Sequence, residues 1–572
     1  MKEVILDFET SFNGTEANIW LWTYATVEEN PVTKWGISLT SLFNVITKEK
    51  NTIYYYHNLS YDGIFILWEL LNNGFTQTMN IKPKEKEVYC SFMNNTMYSL
   101  RFILNGREIV IRDSMKIIPL AVDKIPKAFG LKYNNKGIID YQKVREKWYT
   151  PTREEIDYGI EDVVIVAKAL NSVRNSGLIK FTSASNALDT CKKMIKDFDT
   201  YFPKLENDFI SDYYSAYRGG LSIPNKKYVN KTVYNGLVLD VNSEYPWAME
   251  ECPLPYGLPV NYETDIFFIK LKCRLYEKDN CPQFLFSSTV YDKIYKNGDI
   301  QDLVLTSVDY YNMHKYYRVE NEIIIEKVYF ESKIGILKPY IDYWKNEKIK
   351  AEEEGNEGKR YIAKLMLNSL YGKFGAKWYN EMTEFHINQE GVLECLQTHY
   401  SDSMTVYMPL AAFVTAWGRD KLLKAIYELM NQEEDNFLYC DTDSVHMLGY
   451  KIPPSIILDR TKFGCWKAEF KFKRARYIHS KCYIEEGWEL NSNYKAKIDF
   501  KRNKCGTIKE IKCCGLPNYF NKMIDGVPTK IKTRDIIEFD DFVKGAVFKD
   551  IKLKKKNVKG GCYLENGDFT IR

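Results

Sequence analysis

Asp441-Thr442-Asp443, within Tyr439-Cys440-Asp441-Thr442-Asp443-Ser444, places two carboxylates one residue apart. The apolar runs Asn436–Leu438 and Val445–Met447 flank it, so the spacing predicts a hairpin with both acids at its tip. Like charges held that close repel, an arrangement that makes sense when cations share them. Paired divalent ions about 4 Å apart activate an attacking oxygen and stabilise a leaving one in phosphoryl transfer. Asp-Thr-Asp also supplies ordinary turn residues, and the tripeptide alone does not choose between the two.

A second acidic set lies near the N-terminus. Val4-Ile5-Leu6 reads as a buried strand leading into Asp7 and Glu9, which share a face at a period of two. Asp62 follows His57-Asn58-Leu59-Ser60-Tyr61 and precedes an apolar helical stretch, where an Asp also serves as a helix cap. Thr152 and Glu155 predict a capping box, and Tyr158 and Asp162 then fall at i and i+4 on one helical face.

Further along, Gly236–Leu239 predicts a strand running into Asp240-Val241-Asn242-Ser243-Glu244-Tyr245-Pro246. The segment 359–371 predicts a helix in which Arg360, Lys364, Asn368 and Tyr371 form one polar, basic face, and Ile362, Met366, Ser369 and Leu370 supply much of a packing face.

The chain has 572 residues, enough for several domains. Hydrophobic residues are 45% and charged residues 27%, as in soluble globular proteins. A net charge of +4 gives no bulk argument for nucleic acid, so binding would rely on local basic surfaces. The 43 tyrosines, with abundant lysine, suit a surface that stacks bases and neutralises phosphates, though nucleotide bias produces the same composition. Thirteen cysteines without a C-x-x-C pair, and six histidines without zinc spacing, point to free thiols in a reducing compartment. Glu3 comes too early for a signal peptide, and no apolar run approaches the roughly 20 residues of a membrane span.

Taken together, Asp7, Glu9, Asp62, Tyr158 and Asp162 resemble the three motifs of DEDD-type 3′–5′ proofreading exonucleases over roughly residues 1–180. The resemblance implies a catalytic role for Lys136, which with Ile139 matches a further motif. It also implies contacts to a single-stranded 3′ end from Thr10, His57, Asn58, Ser114, Met115 and Tyr141.

Asp240–Pro246 resembles motif A of family B DNA polymerases, D-x-x-S-L-Y-P, with Glu244 where leucine is usual. Lys364–Gly372 resembles motif B, and Asp441-Thr442-Asp443 motif C. Lys481-Cys482-Tyr483 is similar to K-x-Y, and Tyr217-Arg218-Gly219-Gly220 to YxGG. In that family Asp240, Val241 and Asp443 would hold metal, Asp441 would support them, and Tyr245 would floor the sugar pocket and exclude a 2′-hydroxyl. Arg360, Lys364, Asn368 and Tyr371 would meet the incoming nucleotide, with Lys348 a further triphosphate candidate. Lys481 and Tyr483 would support the primer terminus.

The implied architecture is α+β and multidomain: a ribonuclease H-like exonuclease (1–181) and a right-hand polymerase (182–572). The latter comprises an antiparallel palm (182–251 and 409–525), helical fingers (336–375) and a small thumb (526–572). Insertions at 252–335 and 376–408 resemble those of the protein-primed branch found in small short-tailed phages. The first would dock a terminal protein, and the second would close around template and downstream duplex. The lysines at 549, 552, 554, 555, 556 and 559 would be thumb surface against DNA, or a solvated run.

The expectation is a monomeric DNA-directed DNA polymerase with two Mg²⁺ per active site, Mn²⁺ being an alternative. Its partners would be template-primer DNA, dNTPs and a terminal protein, in the cytoplasm of an infected bacterial host. Alternatives are a conventionally primed family B replicase, a nuclease with a DNA-binding C-terminal part, or a non-catalytic single-strand-binding protein.

Overall fold

The computed structural model describes residues 1–93, 95–132, 139–140, 143–285, 297–377, 379–402, 406–490, 507–524 and 527–572. Lys136 and Tyr141 lie outside them.

The N-terminal sheet is mixed. Lys2–Phe12 is antiparallel to Ala17–Thr26 and parallel to Thr52–Tyr56, which is in turn parallel to Arg107–Asp113. Val4, Ile5 and Leu6 are buried as their apolar run predicts. The strand does not end at the acids but runs on to Phe12, with a register irregularity between Glu9 and Thr10. Two helices cover this sheet. Leu59–Asn72 begins earlier than the apolar run suggested, so Asp62 lies inside its first turn and the cap position belongs to Asn58. Arg153–Asn175 begins with the expected Thr152/Glu155 capping box.

A second, antiparallel sheet carries the central motifs. Thr232–Val241 lies between Ser444–Leu448 and Trp466–His479; Phe437–Asp441 and Ser222–Pro224 extend one side, and Cys482–Glu489 and Ile508–Cys513 the other. Behind it runs Met408–Met430, a helix buried almost all round. Lys338–Glu353 and Glu357–Phe374 pack as a helical pair. Glu357–Phe374 buries Ile362, Ala363, Met366, Leu367 and Leu370, leaving Lys364 and Asn368 exposed on the opposite face.

The first predicted insertion contains an antiparallel sheet of Leu254–Val260, Tyr317–Lys333, Phe267–Glu277 and Ile300–Thr306. The second contains the hairpin of Tyr379–Ile387 and Leu393–Asp402. At the C-terminus Val547–Val558 and Gly561–Thr570 form a long hairpin that docks on the N-terminal sheet. There the Ala17 amide donates to the Lys559 carbonyl at 2.9 Å, and Phe12 stacks on Tyr563 with ring centroids 4.1 Å apart. The described cysteines are free, and among the described residues no helix is long and apolar enough to cross a membrane.

Candidate active sites

Asp7, Glu9 and Asp162 converge from the Lys2–Phe12 strand and the Arg153–Asn175 helix. One carboxylate oxygen from each lies within 4.8 Å of the others. Asp62 approaches from its own helix; burial first, then the charge of Asp7, push its carboxyl well up. Three converging carboxylates, with a fourth acid buried beside Asp7, are a crowding that divalent cations would relieve, so the donor set fits metal.

A cleft of about 670 Å³ opens over Asp7, Glu9 and Asp162, lined also by Thr10, His57, Tyr61, Tyr563 and Leu564. Tyr61 was not singled out in the sequence; its hydroxyl pairs with Thr10 Oγ1 at 2.8 Å. Tyr563 and Leu564 arrive from the C-terminal hairpin, some 500 residues away in sequence. Tyr158, one turn before Asp162, lines the adjoining cleft together with Ile139 and Lys143.

His57 is held rather than free. Nε2 lies 2.6 Å from the Leu120 carbonyl and Nδ1 2.9 Å from Ser114 Oγ, and burial pushes its pKa down. The neutral tautomer with Nε2–H donating fits these partners. Ser114 is fully buried beside His57, its hydroxyl also lying 3.0 Å from the Tyr56 carbonyl. Asn58 is exposed in a left-handed conformation, its amide donating to Asp113, and Met115 is half-buried beside it.

In the second site Asp240 ends its strand opposite Ser444, and the Val241 amide donates to the Asp443 carbonyl at 2.8 Å. A strand residue, Asp240, and a turn residue, Asp443, are thus brought together from about two hundred positions apart in the chain. Burial, then Asp443, raise Asp240 to about 7, and burial raises Asp443 as well. Lys467 Nζ stands 2.8 Å from Asp240 and 2.8 Å from Glu469, an ammonium placed where cationic charge is wanted. This acid pair, too, fits metal. Asp441 is turned to a different partner, Lys481 Nζ, so the two acids of the hairpin are not equivalent.

The turn is tight. Thr442 has a positive φ of 63°, and its amide donates to Leu221 at 2.7 Å. Gly220 abuts it: a Cβ there would lie 2.6 Å from Thr442 Cγ2 and 2.9 Å from its Cα. The lack of a side chain at Gly220 makes this close packing possible, whereas the space at Gly219 is open. Tyr217 packs against Gly375 at the end of the Glu357–Phe374 helix.

Tyr245 and Tyr371 meet with ring centroids 4.3 Å apart. Lys364 and Asn368 lie on the exposed face of the Tyr371 helix. Arg360 is held by Glu357 at 2.8 Å. Lys348, on the partner helix, is held down in pKa by burial; Glu352 opposes this, and the charges of Lys364, Arg360 and Lys467 add to the lowering. These cations form a common positive field beside the acids, as a polyphosphate requires. Tyr483 is buried with Tyr439, His446 and Tyr477 beneath the hairpin, while Lys481 is exposed on the turn before it.

Sequence reasoning missed the buried ion pair of Arg419 and Asp309, 2.6 Å apart at 3% and 0% exposure. Arg419 also donates to the carbonyls of Arg218 and Gly219, tying the Tyr217–Gly220 segment to the Ser307–Tyr316 helix that carries Asp309. An arginine directly after the apolar 408–418 run was the available signal.

A nuclease-like acid cluster on a mixed sheet, beside an antiparallel palm bearing a second acid pair under a basic helix, defines a DNA-directed DNA polymerase carrying a 3′–5′ exonuclease. Residues 44–155 and 145–459 match the family described as DNA polymerase type B, organellar and viral, and the chain belongs to it. It falls in the phi29-like, protein-primed branch of family B. The DNA polymerase of Bacillus phage Nf is 32% identical, with 99% of each chain covered. The Phi29 DNA polymerase solved with primer-template DNA superposes with a TM-score of 0.89 at 29% identity, covering all of both chains. The same polymerase with primer-template DNA and incoming nucleotide gives 0.86 at 30% identity, again over all of both.

Proposed function

We propose that the palm acids and the basic helical face form one nucleotidyl-transfer site, extending a DNA primer, or a terminal protein at initiation, on a DNA template. The observation that carries this is the union of Asp240, near the end of its strand, and Asp443, in the turn of the neighbouring hairpin, with Lys348, Arg360 and Lys364 in one electrostatic neighbourhood. The similar polymerase bound to primer-template and nucleotide supports the choice of substrates.

Asp240, the Val241 carbonyl and Asp443 would hold two Mg²⁺, which would lower the pKa of the attacking hydroxyl and stabilise charge on the leaving oxygen. The 3′-hydroxyl attacks the α-phosphate and pyrophosphate leaves. Lys364 and Arg360 neutralise the triphosphate, Asn368 and Tyr371 contact the nucleotide, and Tyr245 floors the sugar. Asp441 holds Lys481 at the primer terminus, supported by Tyr483, and Tyr217–Gly220 links the two activities. In the exonuclease, Asp7, Glu9, Asp62 and Asp162 bind the metal and Tyr158 orients the water. Thr10, His57, Asn58 and Met115 hold the frayed 3′ end. The boundaries proposed above, with exonuclease 1–181, insertions 252–335 and 376–408, and thumb 526–572, go with this reading, as do strand displacement and a monomeric enzyme in the bacterial host cytoplasm.

Extension on a primed circle tests it with wild type, Asp7→Ala and Asp443→Ala. Products longer than the circle are expected from wild type. Asp443→Ala should lose synthesis by on the order of 10³-fold while keeping 3′-end digestion, and Asp7→Ala should show the reverse. An Asp443→Ala enzyme that extends at the wild-type rate refutes the assignment. Mixing enzyme, dNTP and a phage terminal protein without an oligonucleotide should yield a covalent protein–nucleotide product. Its absence points to conventional priming.

A further inference from the structure

Glu244 stands where the family motif has leucine, and the structure shows what the change does. It opens the Glu244–Glu251 helix directly before Tyr245 and is 3% exposed. Oε1 has no hydrogen-bond partner among the described residues. The other oxygen lies in a notch at Gly418 on the Met408–Met430 helix. A Cβ at Gly418 would sit 2.8 Å from Glu244 Oε2, 3.0 Å from Cδ and 3.4 Å from Tyr245 Cε1. One notch therefore receives both the carboxyl and the edge of the Tyr245 ring.

The surroundings favour the uncharged acid: burial, then Asp443, push the carboxyl well above the usual range, and Asp240 adds to them. Lys421 and Arg419 oppose this, but Arg419 is committed to Asp309, and the Lys421 ammonium stands 3.9 Å from the Trp247 ring centroid. A protonated carboxyl offers one donor and one acceptor. Leucine would occupy the same space with no buried polar atom, so stability alone favours leucine. The functional consequence falls on the neighbouring ring, which packs against Tyr371 with ring centroids 4.3 Å apart.

We propose that Glu244 is a positioning residue for the sugar pocket. Seated in the Gly418 notch, it sets the pose of Tyr245, and through that ring the affinity for a deoxyribonucleotide and the rejection of a 2′-hydroxyl. This rests on the reading of Tyr245 as the pocket floor.

Single-nucleotide incorporation of dNTP and rNTP by the full-length enzyme, with thermal melts, tests it on Glu244→Leu, Glu244→Gln, Gly418→Ala and Tyr245→Val. Glu244→Leu should melt no lower than wild type. Its KM for dNTP should rise and its dNTP-over-rNTP preference fall, each by about threefold or more, with kcat little changed. Glu244→Gln, which keeps donor, acceptor and shape, should behave as wild type. Gly418→Ala, harmless to a helix as such, should reproduce the Glu244→Leu shift by displacing the carboxyl. Tyr245→Val separates the two ideas. If it leaves sugar preference intact, the pocket reading fails. If it alters preference while Glu244→Leu and Gly418→Ala both keep wild-type KM and preference, the role of Glu244 is overturned. Glu244→Gln shifting as far as Glu244→Leu overturns it as well.

Discussion

The acids of the palm are held at a cost. Asp240 and Asp443 are partly buried, near each other, and both raised in pKa. In metal-free enzyme their repulsion works against folding, as in active sites that trade stability for function. Asp443→Asn should therefore raise the metal-free melting temperature, by about 1 kcal/mol of stability, while abolishing synthesis. Mg²⁺ should raise the melting temperature of wild type more than that of the variant; scanning calorimetry with and without chelator checks both. Residue types and spacing were enough to find these acids. They did not reveal that Lys467 bridges Asp240 to Glu469, or that Ser114 is buried beneath His57, because both depend on side chains meeting across strands distant in sequence.

The Arg153–Asn175 helix shows how one local motif serves a distant site. Glu155 accepts from the Thr152 amide at 2.8 Å, from Arg145 at 2.7 Å and from Tyr149 at 3.0 Å. Burial pushes its carboxyl up, but these hydrogen bonds outweigh burial and hold it below its usual value. A carboxylate depressed in the folded state stabilises above its unfolded pKa, and that stability is lost as pH falls through the folded value. Glu155→Gln should thus cost about 2 kcal/mol at pH 7, and its deficit should shrink in melts below about pH 4. Exonuclease activity should suffer more than synthesis, since this helix carries Tyr158 and Asp162. The capping box was legible because its partners are three residues apart. Arg145, which completes the cluster as a buried ion pair, was not, since nothing in a loop arginine's neighbours announces burial.

The whole chain is closed on itself. The turn of its last hairpin bridges to Glu16 and Ala17 at the start of the second strand, and the hairpin lends Tyr563 and Leu564 to the cleft over Asp7, Glu9 and Asp162. The hairpin of Tyr379–Ile387 and Leu393–Asp402 also leans on the N-terminal part of the chain: Trp68 Nε1 donates to the Gly391 carbonyl at 2.7 Å, and Phe92 meets Phe385 edge-on. Gly560 sits at the hinge of the C-terminal hairpin with φ of 85°, and a Cβ there would collide with the Ala17 carbonyl. Gly560→Ala should loosen this contact at a cost of about 1–3 kcal/mol. Product length per binding event on a primed circle, measured with a trap, should shorten, and more so at higher salt, where phosphate contacts weaken. Full-length products at all salt concentrations would show that closure is dispensable.

From sequence alone came the family resemblance, the strand-turn-strand setting of Asp441 and Asp443, the capped exonuclease helix and the polar face of the 359–371 helix. Those features are local: turn chemistry, caps and side-chain periodicity act over a few residues, so the residues themselves state them. Tertiary structure decided that Asp441 turns to Lys481 while Asp443 joins Asp240, that Gly220 makes room for Thr442, and that Glu244 shares a notch with Tyr245. These follow from close packing of strands and helices far apart in the chain, where a single Cβ or one buried charge selects the arrangement.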